Sequence, residues 1–278
     1  MTYRIVSDST SNLFSLSGDI DYRTVPLKIL VDGIEYVDEP GLDTEALVAK
    51  MEASQWGSST SCPAIQEWLD AFEGADYIFC VTITSGLSGS YNSALNARDI
   101  YVSEHPEAKI YVVDSLSTGG EMELIIEKIK ECMEKDLPFE EAVQIIQDYQ
   151  THTHLLFTLE SLSNLAKNGR VSPAVAKVAG LLGIRFLGRA SEEGTLQQAH
   201  ICRGPKKTLT MSFSEMVKMG YKGGKVRIHH CLNQASAEKL KNLILSEYPH
   251  ADVTVTPCTG LCSYYAERGG MIFGFEDY

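Results

Sequence analysis

The side chains with chemistry to offer are hydroxyls, gathered in a few short stretches. Residues 82–94, Thr-Ile-Thr-Ser-Gly-Leu-Ser-Gly-Ser-Tyr-Asn-Ser93-Ala94, interleave Ser and Thr with two glycines. Residues 57–63, Gly-Ser-Ser-Thr60-Ser61-Cys-Pro63, place four hydroxyls in a row. Ser7-Asp-Ser-Thr-Ser11 and Asp114-Ser-Leu-Ser-Thr-Gly-Gly120 repeat the theme. Unpaired backbone amides, the positive end of a helix dipole and Ser/Thr donors together suit an anion. Helix capping and chain turning account for any one of these stretches taken singly. They do not account for four successive hydroxyls, nor for the recurrence.

The same residues exclude several chemistries. Gly86-Leu-Ser88-Gly89-Ser90 fails the last position of a G-x-S-x-G nucleophile elbow. No Gly-rich loop carries a Walker A lysine, and G-x-G-x-x-G is absent. His152-x-His154 and His229-His230 sit on strand-like runs, where histidines are usually packed or at the surface. No carboxylate pair has metal-ligand spacing, so no metal or cofactor is expected. The loops hold an anion without a strong base to transform it. Two cationic features accompany them. Arg170 follows Asn-Gly in a turn, and Arg203-Gly-Pro-Lys206-Lys207 is a basic island on an otherwise acidic chain.

The positioning elements follow a β-then-α rhythm. Apolar runs at 3–6, 77–83 and 110–113 each end in a Ser/Thr/Asp/Gly loop that opens a helical pattern. This predicts a mostly parallel sheet flanked by helices, with the loops gathered on one edge. Asp32-Gly33 between apolar runs predicts a hairpin. Ile65, Trp68, Leu69 and Phe72 recur at helical spacing with Pro63 in the first turn, so Thr60 and Ser61 are expected at a helix N-terminus. Beyond residue 152 the rhythm changes. A strand at 154–158, helices at 159–166 and 173–182, and an antiparallel hairpin around Glu192-Glu-Gly194 are expected. Helices near 207–219 and 235–248 lead to strands at 225–229 and 253–256. The chain therefore reads as α/β with two domains, 1–152 and 153–278, the second with antiparallel pairing. Residues 257–275 receive no assignment of role.

Composition bounds the function. The chain has 278 residues, 44% hydrophobic and 22% charged, with a net charge of −13. That suits a globular protein with a real core and disfavours a broad nucleic-acid or anionic-membrane surface. No run has membrane-span length and the start lacks a signal-peptide layout. Seven scattered cysteines fit a reducing cytoplasm.

Taken together, Ser7-Asp-Ser-Thr10, Val25-Pro-Leu27 with Tyr36-x-Asp38, Thr60-Ser-Cys-Pro63, Leu87-Ser-Gly-Ser-Tyr-Asn-Ser-Ala94, Val113-Asp-Ser115, Thr158-Leu-Glu-Ser-Leu162, Gly169-Arg-Val-Ser172, Leu181-Leu-Gly-Ile184 and Arg203-Gly204 resemble the DegV family of bacterial fatty-acid-binding proteins. The resemblance spans nearly the whole chain. It implies two domains with one long-chain fatty acid between them, presented to a fatty acid kinase that makes the acyl-phosphate. On that pattern Thr60, Ser61 and Ser93, with Asn92 beside them, hold the carboxylate, and Arg170 neutralises it or shapes the site. Leu181, Leu182, Ile184 and Phe186 are candidates for the tail lining, with plain core as their other reading. Arg203, with Lys206 and Lys207, is the candidate kinase contact. The chain departs from the family at Asn168-Gly169, commonly Gly-Gly, and at Pro257-Cys-Thr-Gly-Leu261, commonly a His-x-Gly-Pro-Gly-type segment. The other reading of the same loops is an enzyme acting on a small phosphorylated or carboxylated substrate.

Overall fold

A computed structural model describes residues 2–54, 57–175 and 183–278. The first sheet has the order β2-β1-β6-β7, all parallel, from β1 (Tyr3–Asp8), β2 (Tyr22–Val25), β6 (Tyr77–Thr82) and β7 (Lys109–Asp114). Its strands are apolar on both faces because both are covered. Ile5, Phe79 and Val81 face α4 (Gly120–Glu134) and α5 (Phe139–Gln150), whereas Val6, Ile78 and Cys80 face α2 (Ile65–Phe72) and α3 (Ser90–Glu104).

A second, six-stranded sheet has the order β10-β9-β8-β13-β11-β12. Its strands are β8 (Thr153–Leu159), β9 (Ile184–Ala190), β10 (Leu196–Arg203), β11 (Val226–His230), β12 (Val253–Pro257) and β13 (Met271–Glu276). All its pairs are antiparallel except β11–β12. One face packs on α7 (Pro205–Lys218) and α8 (Gln234–Glu247); the other carries Leu155, Phe157, Leu159, Phe186 and Ile272. The period-two alternation along β8 and β13 separates these faces.

A small antiparallel sheet, β4-β3-β5, comprises β3 (Lys28–Val31), β4 (Ile34–Val37) and β5 (Ser58–Ser61). Asp32 and Gly33 both have positive φ, as the expected hairpin turn requires. α1 (Thr44–Ala53) links this sheet's hairpin to β5, capped by Asp43, whose side chain accepts from Ala46 N at 2.9 Å. The hydroxyl run 58–61 is thus a strand paired to β3, not the start of a helix. Apolar β3 offers it an open edge, and the helix waits until Ile65, where Glu67 Oε2 accepts from Ala64 N at 2.7 Å. A second correction concerns residues 159–166: β8 continues to Leu159, and α6 covers only Ser163–Lys167. The unassigned stretch forms α9 (Gly260–Ala266) and β13, which is a central strand.

α4 belongs to both large sheets. Met122, Ile125, Ile126 and Ile129 pack into the first core. On the other side Glu123, Glu127 and Glu131 meet His229, Arg227 and Lys225 of the second sheet. Four helical residues rise ~6 Å and two strand residues ~6.6 Å, so the pairs stay in register along the contact. At the helix start a Cβ on Gly120 would lie 2.2 Å from Arg227 O, so the backbones touch there.

Candidate functional site

The loops following β1, β6 and β7 do gather on one edge of the first sheet. Thr84 N donates to Ser117 O at 2.9 Å and Gly119 N donates to Thr10 O at 2.8 Å. Asp8 binds the group from beneath. It is fully buried and accepts from Ser90 Oγ at 2.7 Å, Ile83 N at 2.8 Å, Thr10 N at 3.1 Å and the Thr10 hydroxyl. Burial pushes its carboxyl above the ordinary range, against those hydrogen bonds. The loops are therefore tied together by a carboxylate whose acceptor capacity is spent inside the protein.

The hydroxyl strand β5 joins this edge. A Cβ on Gly89 would lie 3.2 Å from Cys62 Sγ, and Ser93 Oγ donates to Pro63 O at 2.8 Å. Period-two alternation turns Ser58 and Thr60 towards α9. There Ser58 Oγ lies 2.7 Å from Tyr264 OH and Thr60 Oγ1 lies 2.7 Å from Tyr265 OH. α9 is itself held by Asp38, which accepts from Gly260 N at 2.7 Å and Leu261 N at 3.0 Å. Burial pushes the Asp38 carboxyl up to about 6.

Between these loops and the second sheet lies a cavity of ≈ 290 Å³. Its polar wall includes Thr10, Thr60, Ser61, Ser88, Thr118, Arg170 and Tyr265. Its apolar wall includes Leu155, Phe157 and Leu159 of β8, Leu165 of α6, Leu196 of β10 and Ile272 of β13. Arg170 Nε donates to Leu87 O at 3.1 Å and its Nη1 donates to Asn168 O, which ties the 169–170 turn to the loop after β6. Among the described residues no cluster of His, Cys, Asp and Glu is suited to a metal ion. A largely apolar space with hydroxyls and one guanidinium on one wall suits an amphiphile with an anionic head.

The family model described as an uncharacterised protein of the DegV family matches residues 2–275. The chain belongs to the DegV family. A DegV domain-containing protein of Streptococcus pneumoniae is 43% identical over 279 residues, covering 99% of each chain. Among solved structures, a DegV family protein from Eubacterium eligens loaded with heptadecanoic acid matches with TM-score 0.97 and 44% identity over 100% of both chains. The Streptococcus pneumoniae Fatty Acid Kinase (Fak) B3 protein loaded with linoleic acid matches with TM-score 0.98 and 42% identity, again over 100% of both.

In this DegV fold the sequence-derived candidates divide. Thr60, Ser61 and Arg170 line the cavity. Asn92 is exposed on α3, and Ser93 spends its hydroxyl on Pro63; neither is among the described lining residues. Leu181 and Leu182 lie outside the described residues. Ile184 is half-buried at the start of β9, while Phe186 packs behind the wall, its ring 6.2 Å from that of Phe157 and nearly parallel to it. Arg203, Lys206 and Lys207 are exposed where β10 passes into α7. The candidates missed Tyr265 and the alternating Leu155, Phe157 and Leu159. For β8 the signal was its period-two apolar pattern; for Tyr265 it was an aromatic pair in the unassigned stretch.

Proposed function

We propose that this protein carries a long-chain fatty acid in the cavity and presents the carboxylate to a fatty acid kinase, which forms the acyl-phosphate. The carrying observation is an apolar cavity with a hydroxyl wall, on a backbone that matches two fatty-acid-loaded DegV proteins at TM-scores of 0.97 and 0.98. Thr60 and Ser61 hold the head, and Arg170 offsets its charge. Ser93 acts on the head indirectly, by fixing the end of β5 through Pro63, and Asn92 flanks that start of α3. The tail lies against β8 and β13. Each buried CH₂ contributes ~0.8 kcal/mol, so the tail dominates affinity and the head needs only satisfied hydrogen bonds. The exposed Arg203, Lys206 and Lys207 form the docking site for the kinase. The two domains, 1–152 and 153–278, enclose the ligand between them. The chain works in the cytoplasm, in keeping with seven free cysteines. It is a carrier, and the partner supplies the phosphoryl chemistry.

Mass spectrometry of an organic extract of the purified protein tests this reading. A stoichiometric long-chain fatty acid is expected. A protein that is empty, and stays empty after incubation with several fatty acids, would transfer the hydroxyl loops to an enzyme for small phosphorylated or carboxylated substrates.

A further inference from the structure

Gly188 sits in the middle of β9, directly across from Phe157 of β8. Its φ lies outside the left-handed range, so the backbone itself makes no demand for glycine. Glycine inside a strand weakens it and marks a close approach. The close approach is the Phe157 ring. A Cβ added at Gly188 would lie 2.4 Å from both Cε2 and Cζ of Phe157 and 2.8 Å from Cε1 of Phe186. The Cε2–Cζ edge of the Phe157 ring therefore occupies the space a side chain at Gly188 would fill.

That ring is also part of the cavity wall. Phe186, buried in the same core, stacks alongside it at 6.2 Å and blocks movement in that direction. The strand backbone closes off a second direction. The remaining open direction is into the cavity. We propose that Gly188, through Phe157, sets how long an acyl chain this protein accepts: the missing Cβ lets the ring retract and lengthens the tail space. The inference deepens the fatty-acid reading and rests on it. Gly188 is a positioning residue that acts only through the ring.

The experiment loads delipidated protein with a competing ladder of saturated acids from dodecanoic to eicosanoic and reads the bound acids by mass spectrometry. Gly188→Ala pushes the ring into the cavity, and the preferred acid becomes shorter by one two-carbon step. The longest acid that the wild type retains well is lost ~tenfold, the fold-change that two fewer buried methylenes convert to. Phe157→Leu removes the ring and shifts preference to longer acids. In the Phe157→Leu background, Gly188→Ala leaves the ladder unchanged, because the ring that carries the push into the cavity is gone and Phe186, the contact that remains at 2.8 Å, packs behind the wall. Should Gly188→Ala fail to fold, Phe157→Leu alone still reports the shift. An unchanged ladder in both single variants overturns the inference and leaves the carrier reading intact. So does a Gly188→Ala shift that persists without the ring. Wild-type protein that takes none of the acids overturns the carrier reading and this inference with it.

Discussion

Tyr265 offers the sharpest test of how the head group is held. Its hydroxyl lies 2.7 Å from Thr60 Oγ1, and both residues line the cavity. Tyr265→Phe removes one neutral hydrogen bond and leaves the Thr60 hydroxyl free to rotate. Such a bond is worth ~1 kcal/mol net, which corresponds to about fivefold weaker fatty-acid binding. Thr60→Val keeps shape and removes the hydroxyl proposed to hold the carboxylate. A bond to a charged group is worth about 1.5–3 kcal/mol, so this variant loses about tenfold to a hundredfold. If Tyr265 acts only by aiming Thr60, the double variant binds no worse than Thr60→Val alone. The coupling energy then equals the whole ~1 kcal/mol of the Tyr265→Phe effect. Fluorescent fatty-acid displacement measures all four proteins, and repeating it with acids of different length adds a control. Loss at the head is the same for every tail. Additive effects, or a Tyr265→Phe penalty that grows with chain length, would refute the reasoning and make Tyr265 part of the tail wall.

Two further outcomes can be checked with simple variants. Burial pushes the Glu121 carboxyl up to about 7, with Thr153 Oγ1 donating to it at 2.9 Å. A folded pKa raised above the unfolded one gives stability that is full below the unfolded value and is lost as pH rises through about 7. Glu121→Gln keeps an acceptor for Thr153, so wild type should lose ~3 kcal/mol relative to that variant between about pH 4 and pH 8, read from paired denaturation curves. Equal slopes would remove Glu121 from the pH dependence. At the surface, Arg203→Ala, alone or with Lys206→Ala and Lys207→Ala, should leave bound lipid unchanged and slow acyl-phosphate formation with a fatty acid kinase. Lost lipid in these variants would put the island in the pocket.

The legible parts of the fold are those with strong periodicity. The buried runs of β6 and β7, the Asp32-Gly33 turn and the hairpin around Gly194 all stand where their patterns put them. β5 was illegible because Ser58–Ser61 has no apolar period; only the edge of β3, distant in sequence, makes it a strand. The polar wall of the cavity was legible in Thr60 and Ser61 for a related reason: unusual polar residues stand out, whereas apolar lining does not. Leu155, Phe157 and Leu159 have the same sequence signature whether they meet a lipid tail or another core side chain. Ser93 shows the converse limit. Its type suited an anion, but a carbonyl in the next loop engages it first, and sequence does not show which acceptor lies nearest. Tyr265 acquires meaning only once α9 is seen lying across β5.

The acid–base ladder along α4 has a consequence for how the molecule comes apart. Arg227 is 4% exposed and donates to both carboxylate oxygens of Glu127, at 2.7 and 2.8 Å. Separating the sheets would strand these charges against apolar surface and strip Gly120 from the strand backbones it touches. Because one helix completes two cores, neither core survives alone with its surface satisfied. Heat or denaturant should therefore melt the protein in a single cooperative step, with no half-folded species. A chain cut after residue 152 would retain α4 with Glu123 and Glu127 stripped of His229 and Arg227 on an exposed face and Glu131 left with Lys128 alone, and the released half would lack the wall that covers β11 and β13.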